Sequence, residues 1–326
     1  MKRVSVVIPC YNSQQTIEKC IEAVLKQNFK SDYEVIMVDD GSNDQTEKII
    51  KKYKRIKYIF QKNAGPAKAR NNGWKNSSGE IVVFTDSDCV PEKDWLCQMV
   101  KPFENDGKIG AVGGAYEETV NDNSKLANLI GEEIKFRYKN IGQYTDAHGA
   151  YSLAVRKEIL KEISGFNETY PVATAEDWDL CYKITKLGYK IFFNKKAHTG
   201  HHHPSNLKKY LKTQFRHGFY RMKLYKDHKD KTSGDKYSGN AKYIVLFSGL
   251  TLFFLFLGII FRDFLWLSFL CLFGLLVLNF KLFWFFLKTK GLAFALEELL
   301  LQLIRGFVWT FGMVKGVINS IFSLSE

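Results

Sequence analysis

Two long apolar runs stand almost end to end near the C-terminus of this 326-residue chain, and they limit its architecture more than any other feature. Tyr243–Phe261 carries no charge, and Phe264–Leu287 follows with Lys281 near its end; only Arg262-Asp263 separates them. About 20 apolar residues cross a bilayer as a helix, so the pair reads as a transmembrane hairpin. The alternative, a buried hairpin in a soluble protein, is disfavoured because two adjacent spans this apolar are rare in soluble cores. Lys236 and Lys242 precede the first run, and Lys288 and Lys290 follow the second. Lysine at both outer ends predicts that they are cytoplasmic. The expectation is a multi-pass protein of the cell membrane whose N-terminal domain faces the cytoplasm. After the hairpin, Glu298, Gln302, Arg305, Lys315 and Asn319 mark one side of Leu292–Phe322 at near-helical spacing. That pattern predicts an amphipathic helix in the membrane interface; a third, tilted span is the alternative.

Charge is concentrated just before the hairpin. Lys183 to Lys242 holds 16 Lys or Arg against three Asp, which accounts for the whole formal net charge of +13. A basic block running into an apolar segment points to anionic membrane lipid as a partner. It contains no nucleic-acid motif, so nucleic acid is not expected as one. The six cysteines form no C-x-x-C pair, which fits a reducing compartment. Val4–Ile8 is too short for a signal peptide.

The first 90 residues alternate. Val4–Ile8, Glu34–Asp39, Ile56–Phe60 and Ile81–Thr85 are short apolar runs that read as strands. Between them, Ile17, Cys20, Ile21, Val24 and Leu25 share one helical face, with Asn12 or Ser13 available as cap. Ser42-Asn43-Asp44-Gln45 matches a capping box for a second helix, and Pro66–Ser77 reads as a third. Strands alternating with helices predict an α/β fold with a mostly parallel, Rossmann-like sheet flanked by helices. Further on, Ala111–Tyr116 and Tyr151–Val155 read as strands, and Trp178–Lys186 as a helix.

Polar motifs follow strands one, two and four: Pro9-Cys10-Tyr11-Asn12, Asp39-Asp40-Gly41-Ser42 and Asp86-Ser87-Asp88. Ligands of open α/β sheets bind outside the carboxyl ends of the strands, so the three should converge. Each alone is more often a turn or helix cap. Asp86-x-Asp88 has a physical use beside a nucleotide diphosphate. A divalent cation held there, Mn2+ or Mg2+ for such hard oxygen ligands, would screen the carboxylates and stabilise charge on the departing phosphate. In Asn63–Asn71, Gly65 allows an unusual backbone angle before a helix start that favours phosphate. Arg70 lies one turn in, either reaching the nucleotide or forming a surface salt bridge.

VSVVIPCYN, VDDGSNDQT, NAGPAKARNNG and TDSD, in this order, resemble the family 2 inverting glycosyltransferases of the GT-A fold, over roughly residues 3 to 220. The resemblance implies a nucleotide-diphosphate-sugar donor, UDP- or GDP-linked. By it, Asp40 would bind the base, Tyr11 would lie near the nucleotide, Asp86 would contact the ribose and Asp88 would hold the metal. Asp39 would support either. Pro9, Gly65 and Arg70 complete the donor-side set. Glu176-Asp177-Trp178-Asp179-Leu180 resembles the family's acidic ED motif, with Asp177 at the base position. An acceptor hydroxyl is a poor nucleophile until a carboxylate takes its proton. An acidic helix N-terminus is the plain alternative, and it is the reading for Asp179. Glu176 and Trp178 would lie near the acceptor or diphosphate, Trp178 stacking on a sugar or simply packing. His201 or His203 fits the place of a histidine that approaches the metal in related enzymes. His148–Ser152 resembles a segment leading into a strand near the acceptor. Gln214-Phe215-Arg216 stands where processive relatives carry Q-x-x-R-W, but with the arginine one position early and no tryptophan. That departure argues for a non-processive enzyme, with Arg216 meeting the diphosphate or the membrane surface.

The expectation is therefore a GT-A transferase domain at 1–225, a basic juxtamembrane linker at 226–242, the hairpin at 243–290 and the interfacial helix or third segment at 291–326. It would move a sugar to a lipid-linked or cell-surface glycan acceptor at the cytoplasmic membrane face. A sugar nucleotidyltransferase is the competing enzyme class, but it would want a glycine-rich basic loop after strand one. A non-catalytic, membrane-tethered binding protein is the third reading, disfavoured by the intact acidic set.

Overall fold

The computed structural model describes residues 3–121, 123–232, 234–235 and 237–322. Two compact units divide between His203 and Pro204.

The first unit opens with β1 (Val4–Cys10), α1 (Ile17–Leu25), β2 (Tyr33–Asp39), α2 (Thr46–Ile50), β3 (Ile56–Phe60), α3 (Pro66–Lys75) and β4 (Ile81–Thr85). It continues with β5 (Cys89–Pro91), α4 (Trp95–Val100), α5 (Pro102–Asn105), β6 (Ile109–Thr119), α6 (Lys125–Lys139) and β7 (Tyr144–Thr145). It closes with β8 (Ser152–Arg156), α7 (Lys157–Glu162), α8 (Glu176–Lys186) and β9 (Lys190–His201). One sheet runs in the order β3-β2-β1-β4-β8-β6-β9-β5, with β7 paired to β9. The first four strands are parallel, as their alternation with helices requires. β8 then enters antiparallel between β4 and β6, making the sheet mixed. That reversal has a functional consequence. The carboxyl ends of β1, β2 and β4, the entry to β8 and the carboxyl end of β9 all lie along one edge.

β1 is buried along its whole length, and Ile17, Cys20, Ile21 and Val24 of α1 cover it from one side. Each such side chain contributes roughly 1.5–3 kcal/mol by leaving water. Trp95 of α4 is fully buried in the same core and donates its indole N–H to Ser152 Oγ at 2.8 Å. On the other face α3 lies very close to the sheet: a Cβ on Gly73 would meet Val7 Cγ1 at 2.3 Å.

Two expected helix caps fall elsewhere. Asn12 takes a left-handed φ of 49°, and α1 begins at Ile17 after a turn on the Ser13 carbonyl. Ser42 does not cap α2; its hydroxyl accepts the Asn12 N–H, while Asp44 accepts the N–H of Thr46 at the helix start. Both residues are drawn away from capping by the need to join the β1 and β2 loops. The strand β9 and the helix α6 escaped sequence reading because their apolar residues follow no clean period.

The second unit is helical: α9 (Leu207–Asp227), α10 (Ala241–Ile260), α11 (Phe264–Lys290) and α12 (Leu292–Phe322). Helix α9, assigned from sequence to the first domain, packs here on α12 through glycines. A Cβ on Gly218 would meet the Trp309 carbonyl at 2.4 Å, and one on Gly312 the Phe215 carbonyl at 2.2 Å. α10 and α11 are long and apolar enough to cross a membrane. Lys236 of the basic block lies outside the described residues.

Replacing Gly73 by Val should lower the apparent Tm, by about 1–3 kcal/mol of overpacking, because neither the β1 backbone nor Val7 can retreat. Gly73→Ala should show a smaller loss of the same sign in a thermal-shift measurement.

Candidate active site

The three strand-end loops are hydrogen-bonded into one surface. Ser13 Oγ and Ser87 Oγ lie 2.8 Å apart, tying the β1 loop to the Asp86-Ser87-Asp88 loop. Asn12 N–H donates to Ser42 Oγ at 2.9 Å, and Asn43 N–H donates to Asn12 Oδ1 at 2.8 Å, tying β1 to β2. The convergence expected of three motifs far apart in sequence is thus met. Neither Ser13 nor Ser87 stood out in the sequence, because a serine pair carries no spacing signal. Pro9 is buried in β1 opposite Val38, whereas Tyr11, just beyond it, is 49% exposed at the rim.

Asp40 and Asp39 differ in role despite being adjacent. Asp40 accepts from Gln61 Nε2 at 2.7 Å and from the N–H groups of Ala64 and Gly65, both at 2.9 Å. It therefore fixes the loop that leads into α3. Gly65 takes φ 91°, and a Cβ there would meet the Pro171 carbonyl at 2.6 Å, so only glycine fits. Asp39 is 1% exposed and turned inward: Oδ1 accepts the Ser42 N–H and Oδ2 the Tyr58 hydroxyl. Any part it plays toward a ligand runs through the turn it holds.

Arg70 is neither a surface residue nor aimed at the groove. Its guanidinium is buried, donating Nη2 to Asp86 Oδ1 at 2.8 Å and Nη1 to Glu176 Oε1 at 2.9 Å. Burial opposes its charge, but the two carboxylates outweigh burial and hold it firmly protonated. Glu176 is 2% exposed, and its other oxygen accepts the Thr174 N–H at 2.7 Å. One cation thus couples the β4 loop to the start of α8.

Asp177 is the next residue along. Oδ2 accepts the Ala150 N–H at 3.3 Å and Oδ1 the Trp178 N–H at 2.9 Å. Ala150 lies at the entry to β8, brought there by the antiparallel register Thr85↔Ser152. It is a backbone partner, so no side-chain signal marked it. Burial, then the Glu176 charge, pushes the Asp177 carboxyl up to about 8, against the pull of Arg70. Asp179 faces away, paired with Lys183 at 2.7 Å. Trp178 is half-buried beside Asp177.

The possible metal ligands meet across β5 and β9. The register Cys89↔His201 sets Asp88 beside His201, whose Nε2 lies 3.2 Å from Asp88 Oδ1. Asp88, Cys89 and His201 have their ligand atoms within 4.8 Å of one another. Burial and the Asp88 and Asp86 charges push the Cys89 thiol well up, so it stays protonated and ligates poorly. The carboxylate and imidazole suit Mn2+ or a similar cation, and His201 Nδ1 is buried without a hydrogen-bond partner. Burial opposes protonation of His201, yet Asp88 holds it above its usual range. His203 packs against His201 with the rings tilted by 40° and centroids 4.7 Å apart, and burial lowers it to about 3. Its backbone N–H and C=O are bonded to the Asn121 side chain. Arg216 lies half-buried on α9, in the second unit.

The raised His201 pKa fixes a sign. Its pairing with Asp88 stabilises fully below the ordinary histidine pKa and fades as pH rises through the folded one. Chelator-treated protein should therefore lose apparent Tm as pH rises from the ordinary histidine pKa of about 6.5 through the raised His201 pKa, and His201→Gln should flatten that slope. Mn2+ affinity, measured by titration calorimetry, should strengthen over the same range as the proton stops competing.

The model of Glycosyl transferase family 2 matches residues 5–164. Glycosyltransferase AglE of Haloferax volcanii is 31% identical over 223 residues, 66% of this chain and 71% of AglE. A dolichyl N-acetyl-alpha-D-glucosaminyl phosphate 3-beta-D-2,3-diacetamido-2,3-dideoxy-beta-D-glucuronosyltransferase of Methanococcus voltae is 24% identical over 67% of this chain and 72% of its own length. Other relatives are matched over less of their length, 52% of one and 28% of another. Among solved structures, mannosyltransferase PcManGT from Pyrobaculum calidifontis, in complex with GDP-Man and Mn2+, shares the fold at a TM-score of 0.65 and 20% identity, over 98% of this chain and 88% of that one. With its strand-end motifs on one edge of a mixed sheet, and with these relatives, the chain belongs to the family 2 glycosyltransferases of the GT-A fold.

Proposed function

We propose that this chain is an inverting, non-processive sugar transferase, anchored in the cell membrane with its catalytic unit in the cytoplasm. It uses a UDP- or GDP-sugar and a lipid-linked or glycan acceptor. The observation that carries the reading is the meeting of Asp86, Arg70, Glu176 and Asp177 at the edge where the donor-side loops converge. Tyr11 would flank the base, Asp40 and Gly65 would shape its pocket, and Asp86 would take the ribose. Asp88 and His201 would hold Mn2+ or Mg2+, with His203 behind them. Such a cation stabilises charge on a leaving diphosphate.

Asp177 takes the acceptor's proton. The hydroxyl oxygen then bonds to the anomeric carbon as the carbon–phosphate-oxygen bond breaks on the opposite face, and the configuration inverts. A carboxyl raised toward 8 is a stronger base than an ordinary carboxylate, and it is free to accept that proton as pH rises toward 8. Glu176 and Trp178 border this base. Arg216 belongs to the basic helix α9, and its charge suits a diphosphate or a lipid phosphate. The relatives support the donor and acceptor classes: PcManGT was solved with GDP-Man, and the Methanococcus voltae enzyme is named for a dolichyl phosphate-linked acceptor. Two membrane-length helices support the anchoring, which concentrates the enzyme where a lipid-linked acceptor resides.

Incubating the chain with Mn2+ and a panel of nucleotide-sugars should release nucleoside diphosphate. Release of pyrophosphate would indicate nucleotidyl transfer instead, and silence across the panel would leave a binding protein. Asp177→Asn should lower kcat by about 10²–10⁴-fold while thermal-shift titration shows nucleotide binding retained. Wild-type kcat should climb with pH toward 8, where Asp177 loses its proton; undiminished turnover by the variant would remove the base assignment.

A further inference from the structure

Helix α12 is packed inside out. Its polar positions Glu298, Gln302 and Thr310 are 0%, 3% and 7% exposed. Gln302 Nε2 donates to Glu298 Oε1 at 2.5 Å, and Arg305 donates to Gln302 Oε1. Most of its outward positions are apolar instead: Leu292, Leu296, Leu300, Phe311, Val314 and Ile318 are each 49–58% exposed, with Lys315 and Asn319 the exposed polar residues of its last turns. Their spacings of three, four and eleven, each close to a whole number of turns, keep them on one face along most of the 31-residue helix. An interfacial helix with water on its polar side would show the reverse. A largely apolar outside with polar groups turned inside is the pattern of a helix whose surroundings are hydrocarbon.

Two further observations identify that surrounding. α12 packs directly on the membrane-length helices: Phe294 lies 5.1 Å from Phe286 of α11 between ring centroids, and Thr310 Oγ1 donates to the Val245 carbonyl of α10 at 3.2 Å. The same helix is locked to α9 through Gly218, Gly312 and Gly316, where backbones approach too closely for any Cβ. On α9, Lys208, Lys212, Arg216, Lys223 and Lys226 recur at spacings of four, seven and three, forming a basic stripe over its length.

We propose that the outward face of α12 lies in membrane hydrocarbon beside the α10–α11 hairpin, and that its glycine seam holds the basic stripe of α9 at the level of anionic lipid head groups. This inference rests on the membrane anchoring proposed above. At about 46 Å, α12 is longer than the roughly 30 Å hydrocarbon layer and is accommodated by inclination. The partner is a phosphate-bearing lipid: acyl chains meet Leu300 and Phe311, and head-group phosphates meet Lys208, Lys212 and Lys226.

Photoreactive benzoylphenylalanine placed at Leu300, Phe311 or Ile318 of the full chain, in phosphatidylcholine–phosphatidylglycerol vesicles, tests the first half. Phospholipid adducts by mass spectrometry are expected at all three, as at Phe256 on α10, the control for the hairpin. Lipid adducts at Phe256 alone, or covalent chain dimers at the α12 positions, would overturn the inference while leaving the anchoring intact. No adduct even at Phe256 would remove both. For the second half, the Lys208→Gln, Lys212→Gln, Lys226→Gln triple variant should lose the preferential retention of phosphatidylglycerol over phosphatidylcholine in native mass spectrometry, with its α12 adducts unchanged. Unaltered retention would overturn the head-group assignment.

Discussion

The candidate site depends on one buried cation. Arg70 has no access to water that would screen it, so its charge is tolerable only between Asp86 and Glu176. Removing one side of a buried pair strands the other charge, at about 3–5 kcal/mol. The arginine therefore makes the positions of two loops conditional on each other. One is the loop after β4, which carries Asp88 two residues on. The other is the start of α8, where Asp177 follows Glu176. The β4 loop and the start of α8 are held in mutual register by the buried guanidinium between them.

That coupling also sets the electrostatics. Glu176 raises the Asp177 carboxyl, while Arg70 restrains the rise. Two N–H donors, from Ala150 and Trp178, orient the carboxylate. Along the same edge of the sheet, Asp88 and His201 hold each other in the opposite sense, with the carboxyl lowered and the imidazole raised. The two acids of one edge are thus pushed apart, one toward accepting a proton and one toward staying ionised for a cation.

The helical unit obeys a different solvent logic. α10 and α11 are apolar nearly all round, and α12 buries Glu298, Gln302 and Thr310 while Lys315 and Asn319 stay exposed. Sequence periodicity put Glu298, Gln302, Arg305, Lys315 and Asn319 on one side of α12, but the structure divides them: Glu298 and Gln302 are buried, Lys315 and Asn319 exposed. An interfacial helix and an embedded one with a polar seam share the same pattern, and burial separates them.

By itself the sequence determined the parallel β1–β4 half of the sheet, the hairpin, and the loops whose residues meet. These rest on local periodicity and on motifs at strand ends, which neighbouring residues encode. Only the tertiary structure decided that Asp39 turns inward while Asp40 clasps the α3 loop, and that Ser42 joins loops in place of capping α2. It also decided that Arg70 is buried between two acids, and that Ala150 reaches Asp177. Each of these depends on which strand lies beside which, and above all on the antiparallel entry of β8. Strand order is fixed by packing among residues a hundred positions apart, and no local pattern records it.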